Sequence, residues 1–584
     1  MNTKKVLVGS ITLAIAVVTM NVCTTSKLTS NVHEDSITVT SNTNAYVEPK
    51  HTTSHTYYNS VASPINLSQP YTNGAVSIKI NNQLTVTGKI NVVTKHMSSV
   101  VPKEITRFGG ELVSESGSVG SFVFAVADDT TTSGLIMFPR ERVVYELQPT
   151  VAGGAVTFIK KNMADTLCID LPPADIGGPL AEGGAIAEGA VTTGTVTTGS
   201  VTTSTVKTAI IPIFESRPTA KVVLYLDMRG SVVQDPLWYS GRTINADAPG
   251  LTDAQIKQVF DTVVQRYEGF NINITTSLES YINAPMGSRM RAVLTSNSWI
   301  AGYGGYAFIN SLVNAGNGIY SPGIMCWVFT KALGNNPKYI AEATAHELGH
   351  TFGLRHDGSV SPKRTANGTY VNYLTTYYAG QGDWAPIMGV GYYKPVVQWS
   401  KGEYNYANNF LDEKAIIANT PGVGYINYTP ALKTATPLSG TVTATNTICQ
   451  PDDIKYYVIN TASGGSVNLT VSVPPYSGLN TVVEMYNASG VTLAKNNPDK
   501  NLNTYVSTNV GPGVYYIKVM GAGEGDPKST GYSSYGSMGS FTISGTVPTG
   551  ATTPVVAPAL LPVTLKAVTN VGTLAASSAL PIKK

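Results

Sequence analysis

At 584 residues the chain is too long for one hydrophobic core, and two to four domains are expected. Only 13% of the residues are charged, well below the usual share of roughly a quarter, and Thr, Ser, Asn, Gly and Tyr fill the gap, as suits β-rich extracellular surfaces. A net charge of +3 without any basic tract gives no ground for nucleic acid as a partner.

Lys4 and Lys5 precede an apolar run over residues 6–20, which is short for a bilayer span. Residues 1–23 therefore read as a signal peptide, and the protein is expected to be secreted. No A-x-A cleavage site follows. Cys23 raises lipoprotein anchoring as a second option, although Val22 before it is not the small residue a lipidation site normally has. No later segment has the length and apolarity of a transmembrane span. Residues 24–74 are polar and rich in Ser, Thr and Asn, and disorder is expected there. Over 75–182, short period-two runs such as SFVFAVA and RVVYELQ, separated by Gly and Asn turns, predict a β-rich domain. Its end carries Cys168 in the stretch DTLCIDLPP. Residues 191–209 are a near-repeat (VTTG-TVTTG-SVTTS-TVKTA) whose composition cannot build a core. The range 183–218 is read as an exposed linker, with Lys207 and Arg217 as candidate cleavage points.

A folded domain is expected over 219–430. Residues 221–226 predict a strand. Thr252 is placed to cap a helix over 252–267, with Ile256, Val259, Phe260, Val263 and Val264 at helical spacing. Residues 291–295 and 325–330 read as further strands. Residues 304–309 (GGYAFI) read either as an edge strand open to an extended peptide or as an ordinary buried strand. Cys326 sits in an apolar run and is read as a small buried hydrophobe. Residues 405–419 predict a closing helix. Over 431–547 short strands return between Gly, Pro and Asn turns, as in a β-sandwich. Asp452 and Asp453 are read as an acidic turn there rather than a calcium site; Ca²⁺ has no support elsewhere in the chain. The Pro/Ala/Thr-rich tail 548–584 is expected to be flexible. The four cysteines (Cys23, Cys168, Cys326, Cys449) fall in four regions and imply no disulfide framework.

Eleven residues, 346–356, carry chemistry: HELGHTFGLRH, the pattern H-E-x-x-H-x-x-G-x-x-H. His346 and His350 are four apart, so a helix stacks both imidazoles on one face, within reach of one ion. Glu347 lies beside such an ion rather than on it, as a general base for its bound water requires. Gly353 allows a left-handed turn that ends the helix and brings His356 back to the same point. Three protein ligands leave a fourth position for water, so the expected cofactor is one catalytic Zn²⁺. Good helix formers over 339–345, with Pro337 placed for a first turn, support the helix. The motif holds three of the chain's 7 histidines; the other four lie far upstream.

This motif resembles that of the metzincin metalloproteases. The resemblance assigns zinc ligation to His346, His350 and His356, the base to Glu347, and the Met-containing turn beneath the metal to Met388 in WAPIMGVGYY. Asp357 after the third histidine resembles the reprolysin (adamalysin) type, where it would support the turn without binding zinc. Arg355 reads as a solvated helix-end residue. The segments 221–230 (KVVLYLDMRG), 270–276 (FNINITT) and 398–409 (QWSKGEYNYANN) look like those of secreted bacterial reprolysin-like proteases carrying a C-terminal PPC-like β-domain. The resemblance covers about residues 75–547. One feature departs from some metzincins: the second residue after the methionine is Val390 and not Tyr, so no zinc-proximal role is assigned to Tyr392.

The expected fold is thus multidomain: an α+β (α/β) metzincin catalytic domain with a twisted mixed sheet and an active-site helix, flanked by a β-rich prodomain and a C-terminal β-sandwich. The expected function is a secreted zinc endopeptidase acting on proteins or peptides and made as a latent precursor. Cys168 is the candidate latency ligand, with Asp170 as an alternative and a buried structural cysteine as a third reading. The C-terminal β-domain is read as a surface or matrix docking module or as a stabilising appendage. The rival function is a catalytically weak surface adhesin on the same scaffold; retention of Glu347 argues against it.

Overall fold

The computed structural model describes residues 56–59, 75–170, 206–550 and 555–556, apart from short breaks at 81–83, 98–103, 128–129, 149–156, 301, 316–323, 366, 368 and 429–433. The expected signal peptide with Cys23, the Thr/Gly-rich segment up to residue 205 and the tail beyond 556 lie outside the described residues.

The N-terminal sheet has eight strands: β1 (Thr56–Asn59), β2 (Ala75–Lys79), β3 (Thr85–Met97), β4 (Glu104–Ser114), β5 (Val119–Ala127), β6 (Thr130–Phe138), β7 (Val143–Gln148) and β8 (Thr157–Asn162). They run antiparallel in the order β1-β8-β7-β6-β5-β4-β3-β2. Disorder was expected throughout 24–74, yet Thr56–Asn59 pairs with β8, from Thr56 opposite Lys160 to Asn59 opposite Thr157. The TYYN segment has strand-favouring residues, and the edge of β8 supplies their hydrogen bonds. Strand alternation gives this sheet two buried faces. Phe122 and Phe124 of β5 pack with Phe108 and Phe158 on one face, while Val123 turns to the other and joins the core of the central region with Leu135, Met137 and Val144. Arg107, 1% exposed, clasps the same region through two bonds to Asp235 at 2.8 and 3.0 Å.

The central region contains β9 (Leu167–Asp170), β10 (Val222–Asp227), β11 (Ser231–Val233), β12 (Ile244–Ala246), α1 (Asp253–Tyr267), β13 (Ile272–Thr275), α2 (Leu278–Asn283), β14 (Arg289–Thr295), β15 (Gly305–Phe308) and β16 (Met325–Phe329). After these come α3 (Pro337–Thr351), β17 (Ser359–Arg364), β18 (Tyr370–Thr375), β19 (Trp384–Pro386), β20 (Val396–Gln398) and α4 (Glu413–Ala418). The main sheet has the order β13-β10-β14-β16-β15-β9. Its first four strands are parallel, and β15 and β9 are antiparallel to their neighbours. The mixed sheet follows from chain order: helical crossovers suit the parallel strands, and β15 closes that edge in the opposite sense. Thr252 caps α1 in a capping box with Gln255, as its spacing predicts.

Three boundaries differ from expectation. β9 belongs by sequence to the N-terminal β-rich stretch but pairs with β15, because period-two patterning marks a strand without naming its partner. Residues 206–218, expected as linker, lie on the central region: Ile211 and Phe214 pack on its core. Lys207 donates its N–H to Asp247 Oδ1 at 2.9 Å, and Arg217 donates its N–H to Asn273 Oδ1 at 3.0 Å. Both candidate cleavage residues are therefore held in folded structure. The helix expected over 405–419 is only α4, because the chain enters it at Asp412, whose side chain caps Ala415 N at 2.9 Å.

The C-terminal region has strands β21 (Thr434–Pro437), β22 (Gly440–Ile448), β23 (Lys455–Thr461), β24 (Gly465–Ser472), β25 (Thr481–Asn487), β26 (Thr492–Asn496), β27 (Thr504–Val510), β28 (Gly513–Gly521), β29 (Gly539–Val547) and β30 (Val555–Val556). They form a six-stranded sheet, β26-β25-β28-β23-β21-β30, and a four-stranded sheet, β22-β29-β24-β27. Val483 and Ile517 of the first share one apolar core with Val467, Leu469 and Phe541 of the second, which makes a sandwich. β30 extends it into the expected tail by pairing with β21. Asp453 is buried and bonded to Lys455 Nζ at 2.6 Å, which satisfies the acidic turn within the protein.

Candidate metal centre

Helix α3 starts as its sequence predicts, with Pro337 in the first turn and the Asn336 side chain accepting from Lys338 N at 2.9 Å. Residues 340–351 are all buried, so the helix is enclosed on every side. Its end is a Schellman turn: Gly353 N donates to His350 O at 2.8 Å and Leu354 N to Gly349 O at 3.3 Å. Gly353 has φ +103°, a conformation that favours glycine, and it redirects the chain to His356.

The ligand atoms of His346, His350 and His356 all lie within 4.8 Å of one another, the only such cluster of His, Cys, Asp or Glu among the described residues. Nδ1 of His346 faces Ile387 O at 2.9 Å, and Nδ1 of His350 faces Leu354 O at 2.8 Å. Each Nδ1 can meet a carbonyl only by donating, which leaves Nε2 as a lone pair. The two Nε2 atoms are 3.0 Å apart. Two facing lone pairs at that distance repel unless a cation lies between them, so the donor set fits a metal. Burial holds the His350 and His356 imidazoles well below their usual pKa, and the neighbouring imidazoles push in the same direction. Neutral imidazole is the form that ligates.

Glu347 is fully buried and lies against β15; a β-carbon on Gly305 would fall 2.2 Å from its Oε1. Met388 is also fully buried, with its sulfur under Gly349, where a β-carbon would lie 2.7 Å away. Met388 O accepts from Asp357 N at 2.8 Å, and Asp357 O accepts from Tyr378 N at 2.7 Å. The Asp357 carboxylate accepts from Asn409 Nδ2 at 3.1 Å, and burial pushes its pKa up to about 7. Cys326 is buried, and its thiol pKa is raised well above the usual value by that burial, as in an inert core cysteine.

The structure thus brings His346, His350, His356, Glu347, Gly353, Asp357 and Met388 into one site. Cys168 stands in β9 opposite Ala307, and Asp170 stands opposite Gly305, the residue that abuts Glu347. Arg355 is partly exposed and pairs with Asp165 at 2.5 Å, just before β9. Tyr392 packs on Tyr339 at 5.3 Å. Sequence reasoning missed Tyr377, whose ring centre lies 4.2 Å from that of His356 and 6.1 Å from that of His346. No motif marks it; it returns to the site because β17 and β18 form a hairpin with Ser359 opposite Thr375.

Residues 253–357 match the family model described as metallo-peptidase family M12B, reprolysin-like. No curated protein matches the chain. A solved structure similar to part of it is the pre-peptidase C-terminal domain of a collagenase from Bacillus anthracis, with 19% identity over 19% of this chain and 92% of that chain, and a TM-score of 0.15. The matched family segment holds the three converging histidines and the glutamate beside them, and the chain accordingly carries a reprolysin-like M12B metallopeptidase domain.

Proposed function

We propose that the protein is a secreted zinc-dependent endopeptidase, made as a latent precursor, with Glu347 as general base. The observation that carries this reading is the convergence of three imidazoles, those of His350 and His356 favoured in the neutral form, beside a buried carboxylate, within a reprolysin-like domain. His346, His350 and His356 hold the zinc; their carbonyl partners fix the tautomer of the first two. Zinc in such a site supplies Lewis acidity that polarises a scissile carbonyl and lowers the pKa of water. Glu347 takes the proton of the attacking water and delivers it to the leaving amine. Met388 floors the site and does not ligate. β15 offers main-chain groups to an extended peptide, a form of recognition that demands little of substrate sequence.

Latency is supported by β9. It pairs along the edge of β15 that such a peptide would use, with Asp170 in register beside the Glu347 position. The N-terminal sheet then acts as the prodomain that holds β9 there, and Cys168 is the candidate zinc-blocking thiolate. Among the described residues no helix is long and apolar enough to cross a membrane.

The test uses purified full-length protein and its Glu347→Ala variant, incubated with zinc and casein. Casein loss and precursor shortening in the wild type alone, abolished by a chelator and restored by zinc, are expected. Equal inertness of both proteins with zinc bound, even after nicking within residues 171–205, would refute the reading in favour of an adhesin on this scaffold.

A further inference from the structure

The C-terminal sandwich is joined to the central region by more than its chain connection. Two of its loops, 474–480 and 523–538, close over the segment that carries Met388. Gln381 Nε2 donates to Pro527 O at 2.7 Å and to Gly531 O at 2.6 Å. Tyr535 and Met538 lie within the central core itself.

Gln398, at the end of β20 and 2% exposed, is where these contacts converge. Its side-chain Oε1 accepts from Trp384 Nε1 at 2.9 Å. Its Nε2 donates to Gly478 O and to Ser537 Oγ, both in the sandwich, the latter at 3.3 Å. Gly536 makes room for this approach, since a β-carbon there would lie 2.6 Å from Gln398 Cβ. The main chain of Gln398 leads towards the metal centre. Its carbonyl accepts from Ile387 N at 2.8 Å, and the Ile387 carbonyl is the 2.9 Å partner of His346 Nδ1. A second tie runs through α3. Glu342, one turn before His346, holds Arg266 by bonds of 2.9 and 2.6 Å, and Arg266 Nη1 donates to Tyr476 O of the sandwich at 2.7 Å.

We propose that the C-terminal sandwich is a working part of the metal centre, with Gln398 as the positioning residue that links Gly478 and Ser537 to the carbonyl orienting His346. The proposal rests on reading the three histidines as a metal site, and it assigns the sandwich a task inside the catalytic unit rather than on a distant surface. A buried amide that satisfies three partners at once fixes the strand behind it. Loss of that fixation lets Ile387 drift and frees the His346 ring.

The experiment compares full-length wild type with Gln398→Glu and Ser537→Ala. Glu at 398 keeps the acceptor for Trp384 but has at most one proton to donate, so it cannot serve both Gly478 O and Ser537 Oγ; the Ser537 change removes one acceptor and leaves the amide in place. Zinc release into a chromophoric chelator and the visible spectrum of the Co²⁺-substituted protein are recorded beside the thermal unfolding curve. Q398E is expected to release zinc roughly 10- to 100-fold faster, with a shifted Co²⁺ spectrum, and S537A severalfold faster. Should Q398E fail to fold, S537A decides. Release rates and spectra equal to wild type in a folded variant would overturn the proposal. If wild type itself took up neither metal, the metal-site reading would fall and the proposal with it, an outcome distinct from equal binding by all three proteins.

Discussion

Gly305→Ala tests how tightly Glu347 is placed. An added β-carbon at residue 305 falls 2.2 Å from Glu347 Oε1, 2.6 Å from its Cγ and 2.7 Å from its Cδ. Ordinary contact begins near 3.4 Å, so the carboxylate must retreat by about 1.2 Å. The residue lies in the extended strand β15, so alanine is acceptable to the backbone and would by itself be favoured by about 0.5–1 kcal/mol over glycine. Strand β15 is held by β16 on one side and β9 on the other, whereas Glu347 is a side chain with rotatable bonds; the side chain moves. Displacing a reacting group by about 1 Å costs on the order of 100-fold in rate, about 2.7 kcal/mol of barrier. The overpacking penalty on stability is about 1–3 kcal/mol. The assay is kcat/KM on casein after nicking within residues 171–205, with zinc content measured in parallel. A loss of about 100-fold at unchanged zinc content is expected, because no histidine is touched. A kcat/KM within about threefold of wild type would show that Glu347 tolerates the shift and that the close approach of β15 has no bearing on catalysis.

Cys168→Ser is expected to shorten the lag before precursor shortening and casein loss, with the β9–β15 pairing still restraining the site; an unchanged lag would remove the thiol from the mechanism and leave that pairing as the block. The pH dependence of the sandwich is carried by Glu484. Burial would raise this carboxyl, but hydrogen bonds from Lys495, Lys518 and Tyr486 outweigh it and hold the pKa at about 2. A carboxyl depressed in the folded state stabilises above its unfolded pKa and loses that contribution as pH falls from about 4.5 towards 2. Glu484→Gln should therefore lower stability by about 2–3 kcal/mol at pH 7 and flatten the loss between those limits; urea titrations at pH 7, 4 and 3 check this. Parallel pH profiles for the two proteins would refute it.

The candidate metal centre was legible because its residues are local in the chain. H-E-x-x-H-x-x-G-x-x-H fits on one helix and the turn that ends it, and each spacing has one geometric consequence, down to the left-handed Gly353. What surrounds the centre was not legible, because those contacts span long stretches of chain. Gln398 bonds to Ser537 across 139 positions and Arg266 bonds to Tyr476 across 210, and no periodicity carries information over such distances. Tyr377 reaches the histidines because a hairpin closes, which depends on the register of β17 with β18 rather than on any motif. β9 shows the same limit most plainly. Its four residues announce a strand, but the strands before it in the chain, β7 and β8, belong to a different sheet. The edge of β15 is where their hydrogen bonds are made. That edge borders Glu347, so under the proposed latency a choice of strand partner, unreadable from alternation, would govern the access of a peptide to the site.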